Sequence, residues 1–425
     1  MNVNIRQDVL LTALEKGAAA SISEEAGSDI DNVSRLMQSV HLTFKKKMLV
    51  ESNTEMLASK YFIAVKKENG IEVGEDGSVL VPAKEMIRWV RAQGVDSTIK
   101  MTFSELANPQ SVDLIDGVSE DGGIDIKKIG SLKLVSKNSE NKTNSKWELD
   151  CYDSQDHKPV NFNGYKESEK LFDINVKQLK EILSKISIAS LKKDYQHVLD
   201  SVAIQVYKNH LYFASTDGKR CALYKIKKDE IVDLQSNRAM LIPFSLLNQT
   251  IAISDEDNIL SFYYDEKIDK VFIAQSDLET RLTVPEKDSV SQFPNIKTLL
   301  DKEYTLLTKI KRASLSNVLI TSSIVNESSA LFSFDKDNKL LTVTAKSEDG
   351  KLKPTTTKAK TDDVSVDLKT VWGVRHLLDV TTKLQSKEIH LFIPDNKNSV
   401  KVVDENDKNF SYFAMKIQNS KYETK

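Results

Sequence analysis

The chain has 425 residues, of which 40% are hydrophobic and 29% are charged, and its formal net charge is −2. This composition is typical of a soluble globular protein of several domains. It excludes a chain that binds nucleic acid through overall positive charge, so a role on nucleic acid would require basic residues concentrated on one surface.

The cysteines and the N-terminal residues indicate the cellular compartment of the protein. Cys151 and Cys221 lie far apart and outside any CxxC spacing, which argues against a disulfide scaffold or a zinc site. The N-terminal residues lack the basic start and apolar run of a secretory signal, and no apolar window of about 18 residues could span a membrane. We therefore expect a cytoplasmic protein without a membrane segment.

The first part of the chain is predicted to hold two helices separated by short strands. Helical spacing of apolar residues predicts a helix over 6–20, and the acidic stretch Ser21–Asn32 predicts a loop. Pro82 suits the first turn of a second helix that ends near Gly94. The polar stretch Ser136–Lys146 is either an extended hairpin loop or a disordered insertion. Strands are predicted at Val40–Phe44, Met48–Glu51, Met56–Lys66, Gly77–Val81, Thr98–Phe103, Ser131–Val135 and Trp147–Tyr152.

The middle of the chain repeats this order. Asn175–Lys193 carries apolar residues on one helical face and lysines largely on the other. The Asp217-Gly218 pair joins two apolar runs and predicts a β-hairpin, because it tolerates the positive φ angles of a tight turn. Leu241-Ile242-Pro243 then leads into a short apolar helix, as Leu80-Val81-Pro82 does in the first part. Further strands are predicted at Val202–Tyr207, Ile259–Tyr264, Lys270–Gln275 and Glu279–Val284.

The last part follows the same order without the proline. A helix is predicted over Lys309–Ser322, and a strand that runs into a helix over Val364–Gln385. Strands are predicted at Leu331–Phe334, Lys339–Ala345, Glu388–Ile393, Val400–Asp404 and Ser411–Ile417. Internal repetition of helix, strands, helix and strands predicts an α+β protein of three similar domains. We expect these domains at 1–170, which includes the insertion and the linker Ser154–Lys170, at 171–302, and at 303–425, which ends in a tail over 418–425.

Charge separates between the predicted helices and the rest of the chain. The windows 6–20, 82–93, 175–194, 243–252, 308–322 and 367–387 together hold 17 Lys or Arg residues and 7 Asp or Glu residues. Lysines on a single helix are usually only solvated. In a repeated fold, helices on one common surface would instead form a basic face that attracts phosphates without reading sequence.

Motifs for catalysis, metal binding or phosphate binding are absent from the sequence. The six histidines show no metal-ligand spacing, and no HExxH, GxSxG, SxxK, GxxxxGK[ST] or GxGxxG motif occurs. We therefore predict no catalytic residue, no cofactor and no metal, and a protein that is not an enzyme.

Several short segments resemble the bacterial DNA polymerase III beta subunit, the sliding clamp. Ala214-Ser215-Thr216-Asp217-Gly218-Lys219-Arg220-Cys221-Ala222 is similar to the family's ATDGHRLA segment. Gly77-Ser78-Val79-Leu80-Val81-Pro82-Ala83-Lys84 and Leu241-Ile242-Pro243 resemble its strand-helix junctions, and Gln292-Phe293-Pro294-Asn295 resembles its RFPDY segment. Phe410–Ile417 stands where the family ends in a VMPMRL-like strand.

This resemblance implies a fold and a mechanism. Each chain would hold three tandem clamp domains, in which two helices pack on antiparallel sheets, and two chains would close head to tail into a ring. Helices would line the channel and sheets would form the outside, so that duplex DNA is encircled rather than gripped. The expected partners are duplex DNA without sequence preference, the replicative DNA polymerase catalytic subunit, the clamp loader and a second copy of the chain as a homodimer.

The resemblance also assigns two groups of residues. A pocket for short partner peptides with a leucine-phenylalanine end is carried over as Leu199, Thr216, Gly218, Lys219, Arg220, Cys221, Pro243, Leu247, Ser399, Val400, Tyr412, Phe413, Ala414, Met415, Lys416 and Ile417. The expected channel residues are Lys84, Arg88, Arg91, Lys177, Lys180, Lys309, Lys311, Arg312 and Arg375.

The sequence departs from the family at several positions. Lys219 stands where the family usually has His, Cys221 where it has Leu, and Phe413-Ala414 replaces a Met-Pro pair, so we expect an altered peptide specificity. Ile22–Ile30 lacks the basic residue that the family uses to touch DNA. The tail Gln418–Lys425 extends past the family's usual end, and we expect it to lie beside the pocket and to compete weakly with partner peptides.

Two other interpretations remain open from the sequence. A three-domain β-rich interaction or carbohydrate-binding protein would leave the basic helices as plain solvated faces. An enzyme in a divergent clamp-like fold is the second alternative. Retention on circular but not on linear DNA separates a clamp from the interaction protein.

Overall fold

The computed structural model describes residues 1–21, 38–111, 127–140, 142–153, 162–191, 198–231, 233–235, 238–285 and 291–422. Within these ranges, every strand pairing with a resolved register is antiparallel and the helices are short, so the fold is α+β. Across the same ranges no helix combines the length and the apolar character needed to cross a membrane. The expectations for Ile22–Ile30, for residues 154–161 of the linker and for the last three residues of the tail lie outside the described residues. The rest of the predicted linker forms a 3-10 helix over Phe162–Glu167 and the start of a strand at Glu169.

The two longer helices of each repeat begin directly after a strand or one residue later. In the first repeat the elements are β1 (Asn2–Arg6), α1 (Gln7–Gly17), β2 (Ser39–Phe44), β3 (Lys47–Asn53), β4 (Leu57–Ala64), β5 (Ile71–Glu75), β6 (Gly77–Pro82), α2 (Ala83–Arg91), β7 (Thr98–Ser111), β8 (Lys127–Lys137) and β9 (Thr143–Tyr152). Pro82 closes β6 and precedes α2, where its fixed φ and missing N–H cost nothing.

The second repeat has the same order. Its elements are β10 (Glu169–Asn175), α3 (Val176–Ile186), β11 (Ser201–Tyr207), β12 (His210–Thr216), β13 (Arg220–Lys227), β14 (Asp233–Leu234), β15 (Met240–Pro243), α4 (Phe244–Ala252), β16 (Ile259–Asp265), β17 (Lys270–Ala274), β18 (Leu278–Thr283) and the short α5 (Ile296–Leu300). The apolar stripe of α3 is buried, as its amphipathic spacing predicts.

The third repeat completes the series. Its elements are β19 (Tyr304–Lys311), α6 (Arg312–Ser323), β20 (Ala330–Asp335), β21 (Leu340–Ala345), β22 (Thr355–Lys360), β23 (Asp363–Val364), β24 (Leu368–Trp372), α7 (Val374–Lys383), β25 (Glu388–Pro394), β26 (Ser399–Asp404) and β27 (Phe410–Met415). Gly373 takes the place of the proline between β24 and α7.

The chain forms two compact units, the first of residues 1–177 and 245–284 and the second of residues 178–244 and 285–425. The strands of the first unit form an antiparallel sheet in the order β10-β16-β17-β18-β4-β3-β2-β6-β9-β8-β7-β1-β5. Helices α1 and α2 pack against each other and against this sheet. Leu10, Leu14, Met86 and Val90 have no exposed surface, and a fully buried side chain of this size stabilises the fold by about 1.5–3 kcal/mol.

The second unit contains two sheets. One has the order β15-β11-β12-β13-β27-β26-β25-β19-β23, so β13 of the second repeat pairs with β27 of the third. The other has the order β22-β21-β20-β24 and packs with α6, which in turn packs with α7. Trp372 is fully buried there, with its ring centroid 5.3 Å from that of Phe332 and 5.9 Å from that of Phe334.

Several predicted elements need correction. Lys309 and Lys311 are not in a helix but in β19, because this segment pairs with β25 and buries Thr308 and Ile310 on one face, and α6 begins only at Arg312. Ser136–Lys146 is neither a long loop nor disordered in its described part, since β8 and β9 pair almost to the tip of their hairpin. Strands β1, β5, β10, β19 and β22 were absent from the prediction.

Gly17 shows how closely α1 approaches the sheet. A Cβ at this position would lie 2.5 Å from Cβ and 2.6 Å from Cγ1 of Val50. The hydroxyls of Ser52 and Ser59 both donate to the Gly17 carbonyl at 2.8 Å, which fixes the end of the helix. The close approach therefore requires glycine.

We predict that Gly17→Ala lowers the free energy of unfolding by about 1–3 kcal/mol, because the added methyl group overpacks a rigid contact. Gly94→Ala is the matched control, since a Cβ there has no neighbour within 4 Å. Urea unfolding of both variants provides the measurement. Equal stability of Gly17→Ala and Gly94→Ala would contradict the close packing of α1 on β3.

Candidate functional site

The turn between β12 and β13 is fixed by its own side chains. The carboxylate of Asp217 accepts hydrogen bonds from the backbone N–H of Lys219 at 2.9 Å and of Arg220 at 3.0 Å. The hydroxyl of Thr216 donates to the Arg220 carbonyl at 2.6 Å and accepts from the Gly218 N–H at 3.1 Å. Gly218 alone in this turn has positive φ, at 85°, which favours glycine. The hairpin predicted from Asp217-Gly218 is thus present.

Arg220 connects this turn to helix α7. Its Nε donates to Asp217 at 2.8 Å and its Nη1 donates to Asp379 at 2.7 Å. Asp379 also pairs with Nε of Arg375, four residues earlier on α7, at 2.9 Å. The Arg220 side chain is 14% exposed and that of Asp379 is 22% exposed. Charge pairs this far from water hold their geometry, and removing one partner leaves a costly unpaired charge.

The groups around Arg220 are poor nucleophiles and poor bases. The hydroxyl of Tyr412 donates to the His376 carbonyl at 2.8 Å, and burial raises the pKa of this phenol. Burial and the nearby Arg220 charge lower the pKa of His376, which favours the neutral imidazole. Burial raises the pKa of the Cys221 thiol to about 12, so this cysteine behaves as an apolar side chain. The arrangement suits recognition rather than covalent chemistry.

Two cavities have Arg220 and Arg375 in their walls. The first, which we name the Arg220 cavity, has a volume of about 420 Å³ and is lined by Lys219, Arg220, Glu327, Ser328, Ser329, Glu348, Arg375, His376, Ile417 and Asn419. The second has a volume of about 520 Å³ and shares Arg220 and Arg375 with the first. Both volumes are in the range of ligand pockets.

The predicted pocket residues of β13, β26 and β27 divide between two faces of their sheet. Arg220 pairs with Ala414 and Cys221 with Phe413, and paired residues project to the same face while successive ones alternate. Arg220, Val400, Tyr412 and Ala414 therefore share the face toward α7, and Thr216, Cys221, Ser399, Phe413 and Met415 share the other. On that second face Phe413 contacts Tyr304, with ring centroids 5.7 Å apart. The set therefore does not line a single cavity.

The remaining predicted pocket residues are placed as follows. Lys219 and Ile417 join Arg220 in the Arg220 cavity, and Leu199 lies beside Gly218, 3.9 Å from where a Cβ on Gly218 would be. Pro243 pairs with Ser201 at the start of β11, and Lys416 is exposed. Leu247 is fully buried and belongs to the first compact unit.

Asp379, His376 and Asn419 are site residues that the sequence analysis missed. The spacing of Arg375 and Asp379 is readable as a helical i, i+4 ion pair. The approach of Asp379 to Arg220 joins positions 159 residues apart and leaves no local signal.

The predicted channel residues have different surroundings. Lys84, Arg88 and Arg91 follow one stripe of α2, where Arg88 is exposed and Arg91 pairs with Glu15 at 2.9 Å. Lys177 is exposed and Lys180 half-buried on α3, and Arg312 donates to the Thr381 carbonyl at 3.4 Å. Lys309 and Lys311 lie in β19, and Arg375 lies at the Arg220 cavity.

In the structure the helices carry more basic than acidic residues, but this excess is smaller than the sequence windows predicted. The six helices α1–α4, α6 and α7 carry ten basic residues, Lys16, Lys84, Arg88, Arg91, Lys177, Lys180, Lys185, Arg312, Arg375 and Lys383. They carry five acidic residues, Asp8, Glu15, Glu85, Glu181 and Asp379. The excess falls from ten to five because the helices are shorter than the sequence windows.

Away from the Arg220 cavity, two glutamates and a histidine lie close together and were considered as a metal site. Ligand atoms of Glu388, His390 and Glu405 lie within 4.8 Å of one another. His390 Nε2 is already 3.3 Å from the Glu388 carboxylate and Glu405 is exposed, so we assign no metal to this group.

Comparisons with known proteins agree with this fold. Residues 173–288 match the family model of the central domain of the DNA polymerase III beta subunit. A curated beta sliding clamp from Chlamydia muridarum is 25% identical over 175 residues, which are 41% of this chain and 46% of that protein. The chain thus matches less than half of the length of this relative.

Solved structures share the fold over nearly the whole chain. The DNA polymerase III subunit beta from Pseudomonas aeruginosa has a TM-score of 0.76 at 16% identity, and the comparison covers 99% of this chain and 100% of that one. A sliding clamp from the same organism bound to griselimycin has a TM-score of 0.75 at 15% identity, with the same coverage. Together, these comparisons show that the chain has the sliding-clamp fold over nearly its whole length and that residues 173–288 are similar to the central domain of the DNA polymerase III beta subunit.

Proposed function

We propose that the chain is a DNA polymerase processivity factor. Two copies close head to tail into a ring around duplex DNA, and the ring tethers the replicative polymerase, with a clamp loader placing it on DNA. The observation that carries this proposal is the clamp fold over 99% of the chain, in which the strand-to-helix junction recurs in every repeat. The proposal assigns no catalytic step and no cofactor.

The basic stripe of α2 supports weak contact with the DNA backbone. Lys84, Arg88 and Arg91 recur at i, i+4 and i+7, so they project from one side of the helix while Met86 and Val90 pack into the core. Exposed cations of this kind attract phosphates without reading bases, and their affinity falls with salt. A sliding ring requires contacts of this type, since tight or base-specific contacts would stop it.

The Arg220 cavity supports the capture of partner peptides. Its wall combines the charged Lys219, Arg375, Glu327 and Glu348 with the apolar Ile417, which suits an extended segment that carries both apolar and charged groups. Lys219, which lines this cavity, replaces the family's usual His, so the preferred sequence should differ from that of other clamps. A related clamp of the same fold binds griselimycin.

An open sheet edge and exposed apolar residues in the third repeat support ring closure. Strand β22 is at the edge of its sheet, and its Thr357 hydroxyl donates to the Val318 carbonyl of α6 at 3.5 Å. On and just beyond α6, Ile320 is 51% exposed and Ile324 is 71% exposed. Edge strands beside apolar patches favour pairing with another chain. We assign this surface to contact with a second copy of the chain.

We predict that Ile320→Asp converts the dimer into a monomer, because a carboxylate in the centre of an apolar contact weakens it by at least about 2 kcal/mol, or roughly 30-fold in Kd. Light scattering after gel filtration gives the mass. Ile268→Asp is the control, since Ile268 is 49% exposed in a turn of the second repeat. A mass unaffected by Ile320→Asp, or equally affected by Ile268→Asp, would place the interface elsewhere.

The function itself is tested by retention on DNA of two topologies. The protein is loaded onto nicked circular plasmid with a matching clamp loader, and bound protein is measured before and after a restriction enzyme linearises the plasmid. We expect retention on the circle and loss on cutting, because an encircling ring slides off free ends. Equal retention on both forms would indicate ordinary charge-driven binding, and no binding would favour the interaction-protein interpretation.

A further inference from the structure

The C-terminal segment Lys416–Tyr422, which follows β27, runs beside the Arg220 cavity. The Lys416 N–H donates to the Asn398 carbonyl at 2.8 Å, and the Ile417 N–H donates to the Val371 carbonyl of β24 at 2.8 Å. The segment is thereby held to the third repeat at its start. Ile417 and Asn419 then contribute to the wall of the cavity.

Tyr422 anchors the other end of this segment. Its side chain is only 8% exposed. Its hydroxyl donates to the Ser329 carbonyl at 3.1 Å and accepts from the Lys346 N–H at 2.8 Å. The ammonium of Lys346 lies 5.3 Å from the centroid of the Tyr422 ring and donates to the Lys421 carbonyl at 2.7 Å. A buried aromatic ring with a satisfied hydroxyl is a contact of the folded protein rather than a transient one.

Asn419 connects the anchor to the cavity wall. Its amide nitrogen donates to the Ser329 hydroxyl at 2.9 Å, and its carbonyl groups accept from Lys421 and Tyr422 at 3.1 Å each. Ser329 also lines the cavity and contacts Tyr422. The position of Asn419 at the cavity therefore depends on the docking of Tyr422.

We infer that the segment Ile417–Tyr422 is a built-in wall of the partner-binding cavity, with Asn419 and Ile417 as specificity-determining residues and Tyr422 as the positioning residue that holds them. The occupant is a partner peptide with a leucine-phenylalanine end, so the inference rests on the proposed function. A fixed wall differs from the weak competitor expected from the sequence, because its loss weakens peptide binding, whereas loss of a competitor strengthens it. The number and geometry of the tail's contacts favour the wall.

The first test is the affinity of the full-length protein for a fluorescein-labelled synthetic peptide that ends in Leu-Phe, measured by fluorescence anisotropy. We expect Tyr422→Ala to weaken binding at least about fivefold, as for other residues that matter in an interface. Tyr422→Phe should restore most of the affinity, because the ring stays buried and only the hydroxyl bonds are lost. Asn419→Ala should weaken binding while the anchor stays in place.

Tyr207→Ala is the matched control for Tyr422→Ala. Tyr207 also bonds through its hydroxyl, to Asp301 at 2.6 Å, but it does not line the cavity. Its substitution should leave peptide affinity unchanged. Thermal unfolding of all variants shows whether each one is folded at the assay temperature.

A second experiment measures hydrogen exchange in the segment Ile417–Tyr422 in the absence of peptide. Hydrogen exchange should be slow at the Ile417 and Tyr422 amides of the wild-type protein, since both are bonded to carbonyls, and fast at both in Tyr422→Ala. Fast exchange of these two amides in the wild-type protein would show that Ile417–Tyr422 is not a fixed wall, even if the peptide binds. Unchanged or tighter peptide binding by Tyr422→Ala would also contradict the fixed wall, and it would support a tail that competes with the peptide. Absence of binding by the wild type would overturn the peptide site of the proposed function and, with it, this inference.

Discussion

The second compact unit depends on one arginine that pairs with two carboxylates. Arg220 holds the β12–β13 turn through Asp217 and helix α7 through Asp379. Because all three side chains are largely withdrawn from water, removal of the guanidinium would leave the Asp217 carboxylate without a cation and Asp379 paired only with Arg375, which is a costly change. Arg220 also lines both neighbouring cavities. The contact that stabilises the turn is therefore also the contact that shapes the candidate partner site.

Strand pairing and backbone hydrogen bonds place the rest of the site next to Arg220. β27 pairs with β13, so the C-terminal segment emerges next to the turn, and the bonds of Ile417 and Tyr422 keep it there. The surface that we propose for DNA is made differently, from exposed side chains on helices whose other faces are buried. A clamp needs both kinds of surface, a specific one for proteins and a weak one for phosphates.

Sequence patterns predicted most of the strands, the hairpin at Gly218 and the helices after Pro82 and Pro243, because period-two alternation and turn residues are local signals. The assignment of Lys309 and Lys311 to a helix was wrong, since a short apolar run fits either period until its partner strand is known. Within the site, Arg220 was predicted through a family motif. Its pairing with Asp379, the division of the pocket set between two sheet faces and the docking of Tyr422 all depend on contacts distant in sequence, which no local pattern records.

Encirclement of duplex DNA by the proposed ring can be measured without a loader or a polymerase. Linear duplex DNA with a biotin at each end is capped with streptavidin either before or after the protein is added, and retention is measured in high salt, where charge-driven contacts are lost. If the protein is a closed ring, we expect it to stay on the DNA only when the caps are added last, because the protein must thread over a free end. Retention that does not depend on the order of addition, or that disappears in high salt under both orders, would contradict a closed ring around DNA.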